Sequence, residues 1–335
     1  MWAAAVARKT ETRGGLAAAA LRQFVKLPKL PALAGLGALL LATAPAQGAP
    51  LTVCMAADNA PLSHRVAGQP RGLDVRIAQA AAQALGRELA VVFFESEYEK
   101  ESTLAHEVNA LLSAGVCEAV SGFPLLAGDL GPPSRASSRT PDYPGAKRKR
   151  ERPYIPLGPL AASRAYQAVA LGVVLRPGGA PLAGLGDLGE RRLGAVSGTL
   201  ASAVAMGWHQ GALRKQVVSL NLREDLLAEL AAPAPATGPR FEAAFVPLAM
   251  FDGWRLRHPD TPLWAASYRR PIGINLGFVT LDSASAVRAA LDGVITPALA
   301  DGRLARWATE EGVSWAPPTA PDISRGPSLA DLAAD

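Results

Sequence analysis

The side chains of this chain best suited to chemistry are four histidines, His64, His106, His209 and His258, two cysteines, Cys54 and Cys117, and scattered carboxylates. The histidines fall in separate segments with no HxxxH or H-x-E spacing, so no two imidazoles share a helix face and no metal site is expected. The stretch "GFPLLAG" (residues 122–128) is no nucleophile elbow, and "AVSGT" (residues 195–199) lacks the second glycine of G-x-S-x-G. Neither catalytic residues nor a cofactor site emerge. One element suits an anion: a helix opening at Ser197, Gly198 and Thr199 presents N–H groups at the positive end of its dipole. An ordinary N-cap explains the same three residues equally well.

The elements that must position these groups alternate. Strand "LTVCMA" from Leu51 is followed by the loop "ADNAPLSHRVAGQP", a helix from Leu73 to Leu85, and strand "ELAVVFF". Ile77, Ala80, Ala81 and Ala84 give that helix one apolar face, and Gly86 ends it. A helix from about Thr103 to Ser113 then leads to the strand "CEAVSG". Strand, helix, strand in succession predicts parallel pairing and an α/β layer, with sites at the carboxyl ends of strands. The loops "ADNAPLSH" and "GFPLLAG" both lie at such ends.

Residues 128–160 break the rhythm with prolines and the basic run "KRKRER" (residues 147–152), predicting a long surface excursion. The run is either a solvated loop or a docking element for an acidic partner. A second α/β layer follows. Its strands are Ala168 to Arg176, "RRLGAVSG", "QVVSL" and "RFEAAFV", with helices opening at Ser197, Leu222 and Pro247. The strand Gly273 to Leu281, a helix from Ala284 to Ala300, "DGRLARWATEEGVSW" and a proline-rich tail close the chain.

Length and composition (335 residues, 49% hydrophobic, 19% charged) suit a globular chain of two domains. Residues 1–46 combine six basic residues, an apolar run from Leu30 to Leu41 and the small-residue stretch "APA", the order of a Sec-type signal peptide. The apolar run falls short of the roughly 20 residues that span a bilayer, so no membrane span is expected once the signal is removed. With its six basic residues and one acidic residue, the leader takes the 34 basic and 29 acidic residues down to 28 of each. The pI of 9.4 therefore belongs largely to the leader and gives no support to nucleic-acid binding. Export to the periplasm predicts that Cys54 and Cys117 pair as a disulfide.

The order of these pieces resembles the family 3 periplasmic solute-binding proteins, the receptors of amino-acid uptake systems. The residues that carry the resemblance are "LTVCMAADNAPL", "GQPRGLDVRIAQAAAQALG", "NALLSAGVCEAVSG", "LGDLGERRLGAVSGTLAS", "RFEAAFVPLAMF" and "ALADGRLARWATEEG", spread over residues 51–315. The resemblance implies a periplasmic binding protein-like type II fold, two α/β lobes around a hinged cleft. Lobe 1 would comprise residues 47–165, with the insertion at 128–160, and take the chain back over 271–316; lobe 2 would comprise residues 166–270, and residues 317–335 would be a tail. It further implies a cleft lined by Asp58, Pro61, Leu62, Phe123, Pro124, Leu125, Asp129, Ser197, Gly198, Thr199 and Val246.

The ligand set of amino-acid receptors does not carry over. Near Asp129, where such receptors place an arginine for the α-carboxylate, residues 121–131 contain no Arg or Lys, and Val246 stands where an acid would hold the α-ammonium. Leu62 replaces an aromatic lid. The remaining residues predict an apolar cleft for a small apolar ligand or another protein. The "VC…DNAPLS" loop with a second cysteine in "GVCEAV" resembles the J-type proteins, MxaJ and XoxJ, associated with periplasmic quinoprotein methanol and alcohol dehydrogenases. That resemblance implies a non-catalytic accessory protein with a dehydrogenase as partner; the alternative is the binding component of an ABC transporter, with a permease as partner. Some relatives on this fold are dehydratases, for which Asp58, Asp129 or Glu242 would be the acids, but an enzyme is not expected.

Overall fold

The computed structural model describes residues 48–97 and 103–327; the expected signal peptide, residues 1–46, and the end of the tail lie outside them. In chain order the elements begin with β1 (Leu51–Ala56), β2 (His64–Val66), β3 (Gln69–Arg71), α1 (Leu73–Ala84), β4 (Leu89–Phe94), α2 (Leu104–Ser113) and β5 (Ala119–Pro124). The insertion contributes β6 (Ser137–Ser138) and β7 (Ile155–Pro156), followed by β8 (Leu160–Ala162). Then come β9 (Gln167–Leu175), β10 (Leu193–Val196), α3 (Leu200–Gly211), β11 (Val217–Leu220), α4 (Leu226–Ala231), β12 (Ala243–Pro247) and α5 (Leu248–Arg257). The chain returns through β13 (Trp264–Leu281), α6 (Ser285–Ala300) and α7 (Arg303–Glu310).

The main sheet runs in the order β11-β10-β12-β9-β13-β5-β1-β4, with β8 on β13. Two parallel triplets flank a central antiparallel pair, β9 and β13. Helices cover both faces, so the strands read as continuous apolar runs rather than alternating ones. In the first half α1, α6 and α7 pack Ile77, Leu291 and Leu304 on one face, and α2 packs Val108 and Leu111 on the other. In the second half α3 covers one face with Val204, while α4 and α5 cover the other with Leu227 and Phe251.

Two elements differ from the sequence expectation. The strand expected from Gly273 instead begins at Trp264. Pro271 and Gly273 sit where the pairing with β9 shifts register, and a proline without an N–H is tolerated at such an irregularity. The helix expected from Leu222 starts only at Leu226, because Asp225 accepts from the amide of Ala228 and caps it there.

The disulfide between Cys54 and Cys117 is present, with Cα atoms 5.7 Å apart, and joins β1 to the approach of β5. The basic run is a folded element. Arg152 is buried; its guanidinium donates to Glu97 (2.6 Å), Asp142 (2.7 Å) and the carbonyls of Lys147 and Thr140. Lys149 also pairs with Glu97 at 2.8 Å. The insertion is thus pinned to the end of β4.

The tail is docked too. Asn275 of β13, 0% exposed, donates to the carbonyls of Thr319 (2.7 Å) and Asp322 (3.0 Å) and accepts from the Thr319 amide (3.0 Å). Ser324 exchanges backbone bonds with Leu125 and Ala127. Upstream, Ser314 donates its amide and hydroxyl to buried Asp252 of α5, each at 2.6 Å. Residues 312–324 therefore bond in turn to α5, to the central pair and to the end of β5.

Replacing Asn275 by Ala removes the partner of the Thr319 amide and of three tail carbonyls, those of Thr319, Pro321 and Asp322, at a cost of about 1–3 kcal/mol. The expected outcome is a lower urea midpoint together with faster proteolysis after residue 316.

Candidate functional site

The strand registers decide where a site can be. β5 runs antiparallel to β13 and ends at Pro124 opposite Leu276, and β12 runs antiparallel to β9 and ends at Pro247 opposite Leu171. Leu276 pairs with Gln167 at the start of β9 and Arg270 pairs with Leu171 in its middle, so β5 and β12 point toward each other along the β9–β13 pair. The carboxyl ends of the two triplets therefore face each other, and the crevice outside such ends is where α/β sheets bind ligands.

In the first half, the "GLD" segment at the start of α1 sets the loop after β1. Gly72, at φ 121°, lies so close to the carbonyls of Pro61 and Leu62 that a Cβ would approach them to 2.5 and 2.3 Å. The Asp74 amide donates to the Leu62 carbonyl at 2.9 Å. Any larger residue at 72 displaces the loop that carries Asp58 and Asn59. Gly122, at φ 66°, is similarly constrained, because a Cβ there would come within 2.8 Å of the Asn59 amide nitrogen.

A cavity of about 260 Å³ opens at these strand ends, lined by Asp58, Asn59, Ser96, Ser121, Gly122 and Phe123 with apolar walls from Phe94, Leu104, Val108 and Val120. Ser96 donates to the buried carboxylate of Glu107. Behind Gly122 lies Asp74, 0% exposed, whose Oδ1 accepts from the Tyr166 hydroxyl at 2.6 Å. Burial pushes the Asp74 pKa up to about 7, against the opposing pull of that hydrogen bond. A hydrogen bond from Ser121 also favours the Asp74 carboxylate, and like that of Tyr166 it is outweighed by burial.

In the second half, Ser197 and Gly198 are exposed at the end of β10. The amides of Ser197 and Thr199 are not free for an anion. The Ser197 amide donates to the Leu220 carbonyl at 2.8 Å, the Thr199 amide to Val196, and Thr199 Oγ1 accepts from the Ser202 amide at 3.2 Å. The segment is an N-cap.

The expected apolar cleft wall is corrected on several residues. Leu62, Leu125 and Val246 are 3%, 0% and 1% exposed and belong to cores. Gly122 is the reason on β5: its left-handed backbone shifts the alternation, so Val120 and Phe123 both pack on the α2 side. Leu125 then fills the space over Gly277, and Phe123, though buried, still reaches the cavity. Pro61 is buried behind the first loop, in a cis bond with Ala60, and Pro124 is half-buried at the strand end. Asp129 lies in a short turn, and its charge acts on His106, where burial and Arg135 lower the imidazole pKa and Asp129 raises it. Glu242 accepts from the Arg192 amide at 2.7 Å, just before β12 and so at the opposite end from the crevice. The three candidate acids do not converge. No cluster of metal-ligating side chains occurs among the described residues.

Sequence reading missed Tyr166, Ser96 and Ser121. Tyr166 stands nine residues before the next tyrosine-free strand ends, a lone aromatic in "SRAYQAV" with no periodic signal that it would meet Asp74.

No protein-family profile matches this chain, and no curated protein matches it. Solved structures do. The second substrate-binding domain of GlnP from Lactococcus lactis, in an open conformation, matches at TM-score 0.55 and 12% identity, over 81% of this chain and 98% of that one. The fold is that of a type II periplasmic binding protein. The L-cystine solute receptor of Neisseria gonorrhoeae, unliganded and open, matches this type II fold at TM-score 0.51 and 16% identity, over 80% of this chain and 94% of that one. An ancestral cyclohexadienyl dehydratase matches at TM-score 0.52 and 15% identity, over 78% of this chain and 92% of that one. At these identities the likeness is one of type II fold.

A buried Asp with a raised pKa holds its proton in the folded state after the unfolded chain has lost it. Stability therefore falls as pH rises from about 4 to about 7, by on the order of 4 kcal/mol. Asp74→Asn, which still accepts from Tyr166, is expected to abolish that fall, read as a flat urea midpoint across the same pH range.

Proposed function

We propose that this chain is an exported, non-catalytic solute-binding protein, the binding component of an ABC-type uptake system for a small solute. Two lobes, residues 47–165 with 271–316 and residues 166–270, would close on the solute by bending at β9 and β13, and a permease would be the partner. The observation that carries this reading is the meeting of both sets of strand carboxyl ends across two connecting strands, the arrangement of a hinged receptor. A cavity with four polar side chains at one of those ends adds a place for the solute. Localisation in the periplasm follows from the same reading together with the leader.

A second reading, accessory protein to a periplasmic quinoprotein dehydrogenase, is favoured by one feature. The turn after β5 carries Asp129 and no basic side chain, so the carboxylate clamp of amino-acid receptors is missing. On that reading an open crevice would take a protein partner rather than a solute.

Thermal melting of residues 47–335 against millimolar amino acids, amines, sugars and small carboxylates separates the two. A solute at about 1,000 times its Kd stabilises by about 4 kcal/mol, raising Tm by several degrees. Uptake predicts such a shift with at least one solute. A flat panel, with a complex to a quinoprotein dehydrogenase on size exclusion, supports the accessory role instead.

A further inference from the structure

Among the described residues, the charged groups at the cavity at the ends of β1, β4 and β5 are carboxylates: Asp58 lines it, and the Glu107 carboxylate stands behind Ser96. Asp74, behind Gly122, holds its proton and contributes polarity rather than charge. None of the described residues that line the cavity is Arg, Lys or His. The nearby cations are engaged elsewhere: Arg152 and Lys149 on Glu97, Arg65 over the Phe93 ring at 4.6 Å. Ser121, 5% exposed, also lines the cavity, but its hydroxyl oxygen is itself buried and interacts with Asp74. Ser96 has spent its proton on Glu107 and keeps lone pairs to accept with. The remaining walls, Phe94, Leu104, Val108 and Val120, are hydrocarbon.

Such a cavity holds acceptors and negative charge at one side and apolar surface at the other. A carboxylate entering it meets like charge with no guanidinium to offset its desolvation, whereas an ammonium group gains from every polar group present. We propose that the solute is a small organic cation, a primary amine or alkylammonium with a short hydrocarbon part and no carboxylate. Its charged group lies against Asp58 and the Ser96 hydroxyl, and its hydrocarbon part lies against Phe94, Leu104 and Val120. This assignment rests on the solute-binding reading above. It separates the chain from a receptor for zwitterions, since the same carboxylates that attract the ammonium repel an α-carboxylate a few ångströms away.

The test is calorimetric titration of residues 47–335 with n-butylamine, tetramethylammonium and putrescine beside butyrate, 4-aminobutyrate and glutamine, at low and at physiological salt. At least one cation is expected to bind, more weakly at higher salt because Asp58 is exposed, with butyrate and glutamine giving no heat. Asp58→Asn, a surface change that leaves the core untouched, is expected to weaken the cation roughly tenfold, the worth of one charge-assisted hydrogen bond. Binding of butyrate or glutamine as tightly as the best cation overturns the assignment while leaving the solute-binding reading intact. So does an Asp58→Asn variant that binds the cation unchanged. Silence from every compound, in this series and in the melting panel, overturns both.

Discussion

Everything in this molecule hangs on the antiparallel pairing of β9 with β13. One strand leaves the first triplet and the other returns to it, and because they pair along most of β9 they hold two parallel triplets in one hydrogen-bonded path. Antiparallel pairing of β12 on β9 and of β5 on β13 then forces the carboxyl ends of the triplets toward each other. The crevice is a consequence of strand direction. The register shifts at Pro271 and Gly273 fall within this ladder, so the pair is least regular where the two halves join.

Buried polar groups mark the places where elements distant in sequence are tied together. Asp74 ties the first loop and α1 to Tyr166 at the entry to β9, and Asn275 ties β13 to the tail. Asp252 ties α5 to Ser314, and Arg152 ties the insertion to Glu97. Burying such groups is costly unless they are hydrogen-bonded, and losing one partner leaves the other unsatisfied. Each therefore selects one arrangement of its neighbours more sharply than apolar contact does. Through Ser314, Ala316, Asn275 and Ser324, the tail touches α5, β9, β13 and β5 in succession, so any bending between the halves must be accommodated by this segment.

The site is asymmetric. The first half supplies a walled cavity with carboxylates around it, and the second supplies an N-cap at which the Ser197 and Thr199 amides are already engaged. Of the residues expected to line an apolar cleft, the leucines and Val246 are in the cores, and the cavity is built from Asp58, Asn59, Ser96 and Ser121 with Phe123 at its side. The chemistry available is therefore recognition by acceptors and negative charge. Glu242, at the opposite end of β12, lies away from this constellation and does not join Asp58 in acid–base work.

Periodicity and punctuation alone determined the alternation of strands and helices, because each element buries an apolar stripe whose spacing is local. They also determined the loop carrying Asp58 at a strand end, while the count of two cysteines together with the exported leader pointed to the Cys54–Cys117 pair. The tertiary structure alone decided which side chains of that loop and of "GFPLLAG" face the crevice. A single left-handed glycine, Gly122, turns Phe123 to the face of Val120, and no local pattern announces that reversal. The pairings of Asp74 with Tyr166, Arg152 with Glu97 and Asn275 with the tail were likewise invisible in one dimension. They span 92, 55 and 44 residues, and a hydrogen bond depends on distance in space, which sequence separation does not encode.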